Sequence, residues 1–156
     1  MGLLKAIFKG LMSEAGKAAT DKTEEQNSYD KRKCENYTKD GNLKHNMEYF
    51  RTVLREEFPA YTVQENVSAD SLGWFVANAY KTYGGVYPCR NYEFVIFNQD
   101  VPVVAILLTD HGRDAVALCK NTVATAKANG VPCLNFLMQF PNERSYVRER
   151  IATALL

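Results

Sequence analysis

The 156-residue chain has the length of one ordinary domain plus a tail, and 46% hydrophobic against 24% charged residues is enough to bury a real core. A formal net charge of +1 excludes a global electrostatic footprint for nucleic acid or acidic substrates, and the charges balance on both sides of residue 42, so neither part is a polybasic arm. No apolar run approaches the roughly 18 to 20 residues that cross a bilayer.

Residues 1–12 come first. Leu3, Leu4, Ile7, Phe8 and Leu11 recur at helical spacing as one apolar stripe, with Lys5 and Lys9 on the other side, which predicts a short basic amphipathic helix. Three readings compete for it. It docks on the domain or on a partner, self-association included; it lies on a membrane surface, for which two lysines are few; or it is a disordered end. A secretory signal is not expected, because Lys5 and Lys9 interrupt the apolar residues and no cleavage pattern follows. Nor is this a clean myristoylation site, since Ala6 stands where Ser or Thr is wanted after Gly2. Residues 13–42 are polar, charged and poor in aliphatics. They read as a flexible linker that ends in the turn signal Lys39-Asp40-Gly41-Asn42.

Residues 43–156 read as the domain. Leu43, Met47, Phe50 and Leu54 predict a helix over 43–57, stopped before Pro59. The β-branched run at 61–67 predicts a strand. Residues 68–87 mix Trp74-Phe75-Val76 with Gly84-Gly85 and Pro88, as an irregular insertion or a short helix would. A strand at 92–97, a tight turn at Asn98-Gln99-Asp100 and a near-continuous apolar run at 101–109 follow. Such a run suits a strand buried on both faces at the centre of a sheet. A helix is expected over 113–129 with Val116, Cys119, Val123 and Ala126 or Lys127 along one side, capped by Gly130. A strand within 131–140 and a last helix over 142–156, with Tyr146, Val147, Ile151 and Leu155 inward, complete the chain. The turn-linked strand pair must be antiparallel and the strand-helix-strand unit a parallel crossover, so the expected fold is α/β with a mixed sheet flanked by helices.

Cys34, Cys89, Cys119 and Cys133 form no C-x-x-C. Free thiols in a reducing, cytoplasmic compartment are the expectation, with Cys119 and Cys133 acting as small hydrophobes. Cys34 with His45 is a metal pair on paper whose spacing matches no common zinc pattern. No phosphate-binding G-x-x-x-x-G-K-[ST] and no G-x-S-x-G is present. Trp74, Phe75, Tyr80, Tyr83, Tyr87 and Tyr92 cluster around Lys81 and Arg90. They are either a satellite core under a long loop or a stacking surface for bases.

Three stretches, MEYFRTVLREEFPAYTV, NYEFVIFNQDVPVVAILLTDHGR and VATAKANGVPCLNF, together with the element order, resemble the restriction-endonuclease-like PD-(D/E)XK superfamily, in particular small bacterial members related to very-short-patch-repair nucleases. The resemblance implies an αβββαβ core. It also implies an acidic residue at the start of the second hairpin strand, then an acid and a lysine two residues apart on one face of the next strand, where carboxylates converge on Mg²⁺. Glu93 fits the first position. Leu107 stands where the second carboxylate belongs and Thr109 where its lysine belongs. An active site of Glu48, Glu93, Asp110 and Lys120 can still be drawn, with the first three as Mg²⁺ ligands and Glu93, Asp110 and Lys120 carrying the chemistry, if a β-bulge re-aims Asp110. The plainer readings are a solvated strand-end Glu93, an Asp110 that caps a helix, an exposed Lys120 and a solvated loop His111. The leading expectation is a catalytically degenerate domain that needs no cofactor and serves as a binding or assembly module. Its partner, nucleic acid or protein, is left open, and residues 1–12 offer a further contact with a partner or a membrane surface. A Mg²⁺-dependent nuclease with a migrated site is the alternative.

Overall fold

The computed structural model describes residues 43–78, 80–82, 84–86, 88–109 and 119–156. The helix expected at 1–12, the linker at 13–42, Cys34, Asp110, His111 and the beginning of the helix expected from Arg113 lie outside the described residues.

The elements run α1 (Leu43–Glu57), β1 (Thr62–Val67), β2 (Lys81–Thr82), β3 (Gly85–Val86), β4 (Tyr92–Asn98), β5 (Val101–Thr109), α2 (Lys120–Ala128), β6 (Cys133–Leu137) and α3 (Arg144–Ala154). The main sheet has the order β1-β4-β5-β6. β1 and β5 both pair antiparallel with β4, while β6 runs parallel to β5. This is the mixed α/β sheet that the strand pattern requires. Gln99 takes φ 60° in the tight turn between β4 and β5, a left-handed conformation that lets two residues reverse the chain.

β5 lies between two strands and is buried on both faces, as its apolar run demands. Val104, Ile106 and Leu108 face a cluster with Phe50, Val53 and Leu54 of α1 and Val147 and Ile151 of α3. Ala105 and Leu107 face a second cluster with Val95, Phe97, Cys119 and Ala126. The helices therefore sit in two layers, α1 and α3 over one face and α2 over the other. Val63 packs with the first cluster, yet Val67, four residues on, joins the second. Asn66, at φ 54°, lies between them and turns the strand over. Arg51 of α1 pairs with Glu65 of β1 and ties the helix to that edge.

α2 ends as its sequence dictates. Gly130 adopts φ 79°, its N–H reaches the Lys127 carbonyl, and the Val131 N–H reaches that of Ala126, which closes the helix with a Schellman motif. The last helix is shorter than its apolar spacing suggests. Asn142 takes φ 49° ahead of it and donates to the Leu137 carbonyl instead of joining the helix.

Among its described residues, the insertion is neither a helix nor wholly irregular. It holds a small ribbon, with Lys81 opposite Val86, preceded by an extended strap laid along α2. Asn129 accepts from the Phe75 N–H and donates to the Phe75 carbonyl. Thr125 accepts from the Ala77 N–H, and Asn121 makes the same two-way pairing with Tyr80. Asn121, Thr125 and Asn129 are spaced i, i+4, i+8 and so line one helix face. The apolar pattern of this helix hid that stripe, because polar residues are buried there to satisfy a backbone that no sheet pairs. Asn129→Ala is expected to remove about 1–2 kcal/mol. It should also speed hydrogen exchange of the Phe75 amide by NMR while leaving the β5 amides protected.

Candidate functional site

The chemistry-bearing end of the hairpin is built around Glu93. Continuing the register one step past Phe94↔Ile106 sets Glu93 across from Leu107. Its side chain is 13% exposed, so it is not a solvated strand-end residue. Arg90 grips both carboxylate oxygens, at 2.8 Å from Nη1 to Oε2 and 2.9 Å from Nη2 to Oε1. The Leu108 N–H donates to Oε1 at 2.9 Å, and Arg90 Nη2 donates to the Leu108 carbonyl at 3.0 Å. Both backbone groups of Leu108 that face β4 are thus satisfied by side chains where the strand ladder stops. Arg90 is itself held, its backbone N–H donating to Thr122 Oγ1 of α2 at 2.9 Å.

Burial pushes the Glu93 carboxyl above the usual carboxylate range, and the Leu108 N–H and the Arg90 guanidinium pull it partly back. A folded value above the unfolded one means that the folded chain holds this proton more tightly. Glu93 therefore contributes stability that is complete below the ordinary carboxylate range and is lost as pH rises through its folded value. Urea titrations across pH should show wild type losing ground to Glu93→Gln as pH rises from about 4. Wild type gaining ground would contradict the burial argument.

The other residues drawn into a candidate metal site go elsewhere. Leu107 is fully buried in the α2-side cluster. Thr109 is 4% exposed and donates its hydroxyl to Asn135 Oδ1 at 2.7 Å. Glu48 is exposed on α1, the helix that covers the opposite face from Leu107. Lys120 begins α2 with its ammonium 5.5 Å from the centre of the Tyr80 ring. Asp110 and His111, like the Cys34 half of the Cys34–His45 pair, fall outside the described residues. Among the described residues, no group of three or more His, Cys, Asp and Glu side chains could hold a metal ion. The residues described do not fit a Mg²⁺ site, since the one carboxylate in position has its oxygens engaged by Arg90 and Leu108.

Cys119 and Cys133 are free thiols on the α2 side of the sheet. Burial raises both, and takes Cys133 up to about 12, so they serve as small hydrophobes and not as nucleophiles. Tyr92 is buried beside them, donates to the Thr122 carbonyl at 2.7 Å and stacks edge-on with Trp74 at 5.6 Å. The aromatic segment therefore divides. Trp74 and Tyr92 belong to the core, while Phe75 and Tyr80 face outward. Sequence reasoning missed Arg90 as the partner of Glu93. Its signal was an Arg three residues before an acid at a strand start, a spacing that surface pairs share. No helix among the described residues is long and apolar enough to cross a membrane.

Family models, curated proteins and solved structures yield no match to this chain.

Proposed function

We propose that the chain is a binding or assembly module on a catalytically degenerate, restriction-endonuclease-like scaffold. One observation carries this reading: the carboxylate in the family's first metal-binding position, Glu93, is spent on Arg90 and on the end of a strand ladder. A metal would have to displace a bidentate guanidinium and leave the Leu108 N–H without its acceptor, both costly at a largely buried position. Leu107 and Thr109 add no anionic oxygen, because one is an alkyl group in the core and the other spends its hydroxyl on Asn135. The element order and the mixed sheet agree with the scaffold. The test is a nicking and cleavage assay on plasmid and single-stranded DNA with Mg²⁺ or Mn²⁺. No metal-dependent cleavage is expected. Cleavage that Glu93→Gln abolishes in a folded protein would reinstate the nuclease alternative.

A further inference from the structure

We propose that α2 carries a binding site for an extended polypeptide segment, and that the chain's own strap is its resident occupant. The inference rests on the binding-module reading and deepens it by naming the class of partner. Asn121, Thr125 and Asn129 form the site. Asn129 accepts from the Phe75 N–H at 3.2 Å and donates to the Phe75 carbonyl at 2.9 Å. Thr125 Oγ1 accepts from the Ala77 N–H at 3.0 Å. Asn121 accepts from the Tyr80 N–H at 3.0 Å and donates to the Tyr80 carbonyl at 2.8 Å. Every one of these bonds goes to a main-chain atom, so the row recognises an extended backbone more than particular side chains. The pitch also fits. Four residues of helix advance the row about 6 Å, and the two extended residues from Phe75 to Ala77 advance the strap about 6.6 Å. Tyr80 follows three residues on.

Little else holds the occupant. Among the described residues, no backbone group pairs with residues 75–78 or with Tyr80. Phe75, Val76, Asn78 and Tyr80 are exposed and Ala77 is half-buried, while the Tyr80 ring meets the Lys120 ammonium at 5.5 Å. A segment with so few buried apolar contacts opens at a lower free energy than the core. Opening takes these backbone partners from Asn121 and Thr125, both fully buried with the strap in place. A second extended segment restores them if a small residue stands in the place of Ala77.

Fluorescence anisotropy of the full chain with a labelled peptide of residues 73–81 tests this. In Ala77→Pro the chain's own strap loses the N–H that Thr125 accepts. The peptide should bind this variant about 10-fold more tightly than wild type, because the competing occupant is released more often. Phe75→Pro removes a donor to Asn129 instead, should act the same way, and serves if Ala77→Pro does not fold. Asn129→Ala, in wild type or in either proline variant, should weaken binding about 10-fold or more. A peptide N-methylated at Phe75, Ala77 and Tyr80 should not bind, whereas one carrying Phe75→Ser and Tyr80→Ser should bind as its parent does. In ¹⁵N spectra the peptide should shift the side-chain amide resonances of Asn121 and Asn129. The proposal is overturned by no peptide binding, by equal affinity of wild type and the proline variants, by binding that Asn129→Ala leaves unchanged, or by an N-methylated peptide that binds as well as its parent. Failure here leaves the module reading standing, whereas Glu93-dependent cleavage removes that reading and does not alter this titration.

Discussion

Arg90→Ala is expected to lower folding stability by about 3 kcal/mol at neutral pH, a large share of what holds a domain of this size together. The substitution leaves a carboxylate that is 13% exposed without its counter-charge and takes away the donor to the Leu108 carbonyl. Arg90 keeps some solvent contact, so the loss falls at the lower end of what breaking a buried pair produces. The cost should shrink as pH falls, because a protonated Glu93 needs no cation. Glu93→Gln should be far milder, since an amide oxygen still accepts from the Leu108 N–H. Urea unfolding of both variants at neutral and acidic pH checks the pattern. Equal losses for Arg90→Ala and Glu93→Gln, or an Arg90→Ala cost that does not vary with pH, would mean that the pair does not close the strand end as described.

The second large effect lies in the core. Phe50 is fully buried and joins three elements, its ring centre 5.0 Å from that of Phe136 on β6 and 6.5 Å from that of Phe94 on β4. Phe50→Ala should cost about 4 kcal/mol, from lost transfer free energy and from the cavity that α1 cannot collapse to fill. Phe50→Leu, which keeps most of the volume, should cost only about 1.5 kcal/mol. Because the two rings touch, Phe50→Ala combined with Phe136→Ala should lose less than the two single losses together. Thermal or urea melts measure all of these, and strict additivity would show that the rings do not share one packing unit.

Regular periodicity made much of this fold legible. The apolar run at 101–109 suited a central strand, and Gly130 marked the end of α2 because a left-handed residue was needed there. Features whose cause lies far along the chain were not legible. Asn121, Thr125 and Asn129 lie off the apolar side read for this helix, and nothing local shows that a strap 41 to 54 residues earlier will lie across them. Asn66 gave no sign that β1 turns over, because nothing in the residues around it distinguishes a left-handed Asn from an extended one. At the candidate site, the sequence alone showed that positions 107 and 109 carry no anionic oxygen. The engagement of Glu93 by Arg90 and Leu108 was not legible, because it depends on where the β4–β5 ladder stops.

Whether the Glu93 carboxylate is committed to Arg90 and Leu108 is best measured by titrating the full chain with Mn²⁺ and following paramagnetic broadening of its backbone amides. No saturable broadening centred on Glu93 and Leu108 is expected, and Glu93→Gln should leave the titration as it is in wild type. Broadening that saturates at one ion per chain around those two amides, and disappears in Glu93→Gln, would contradict the assignment and place a metal in the hairpin.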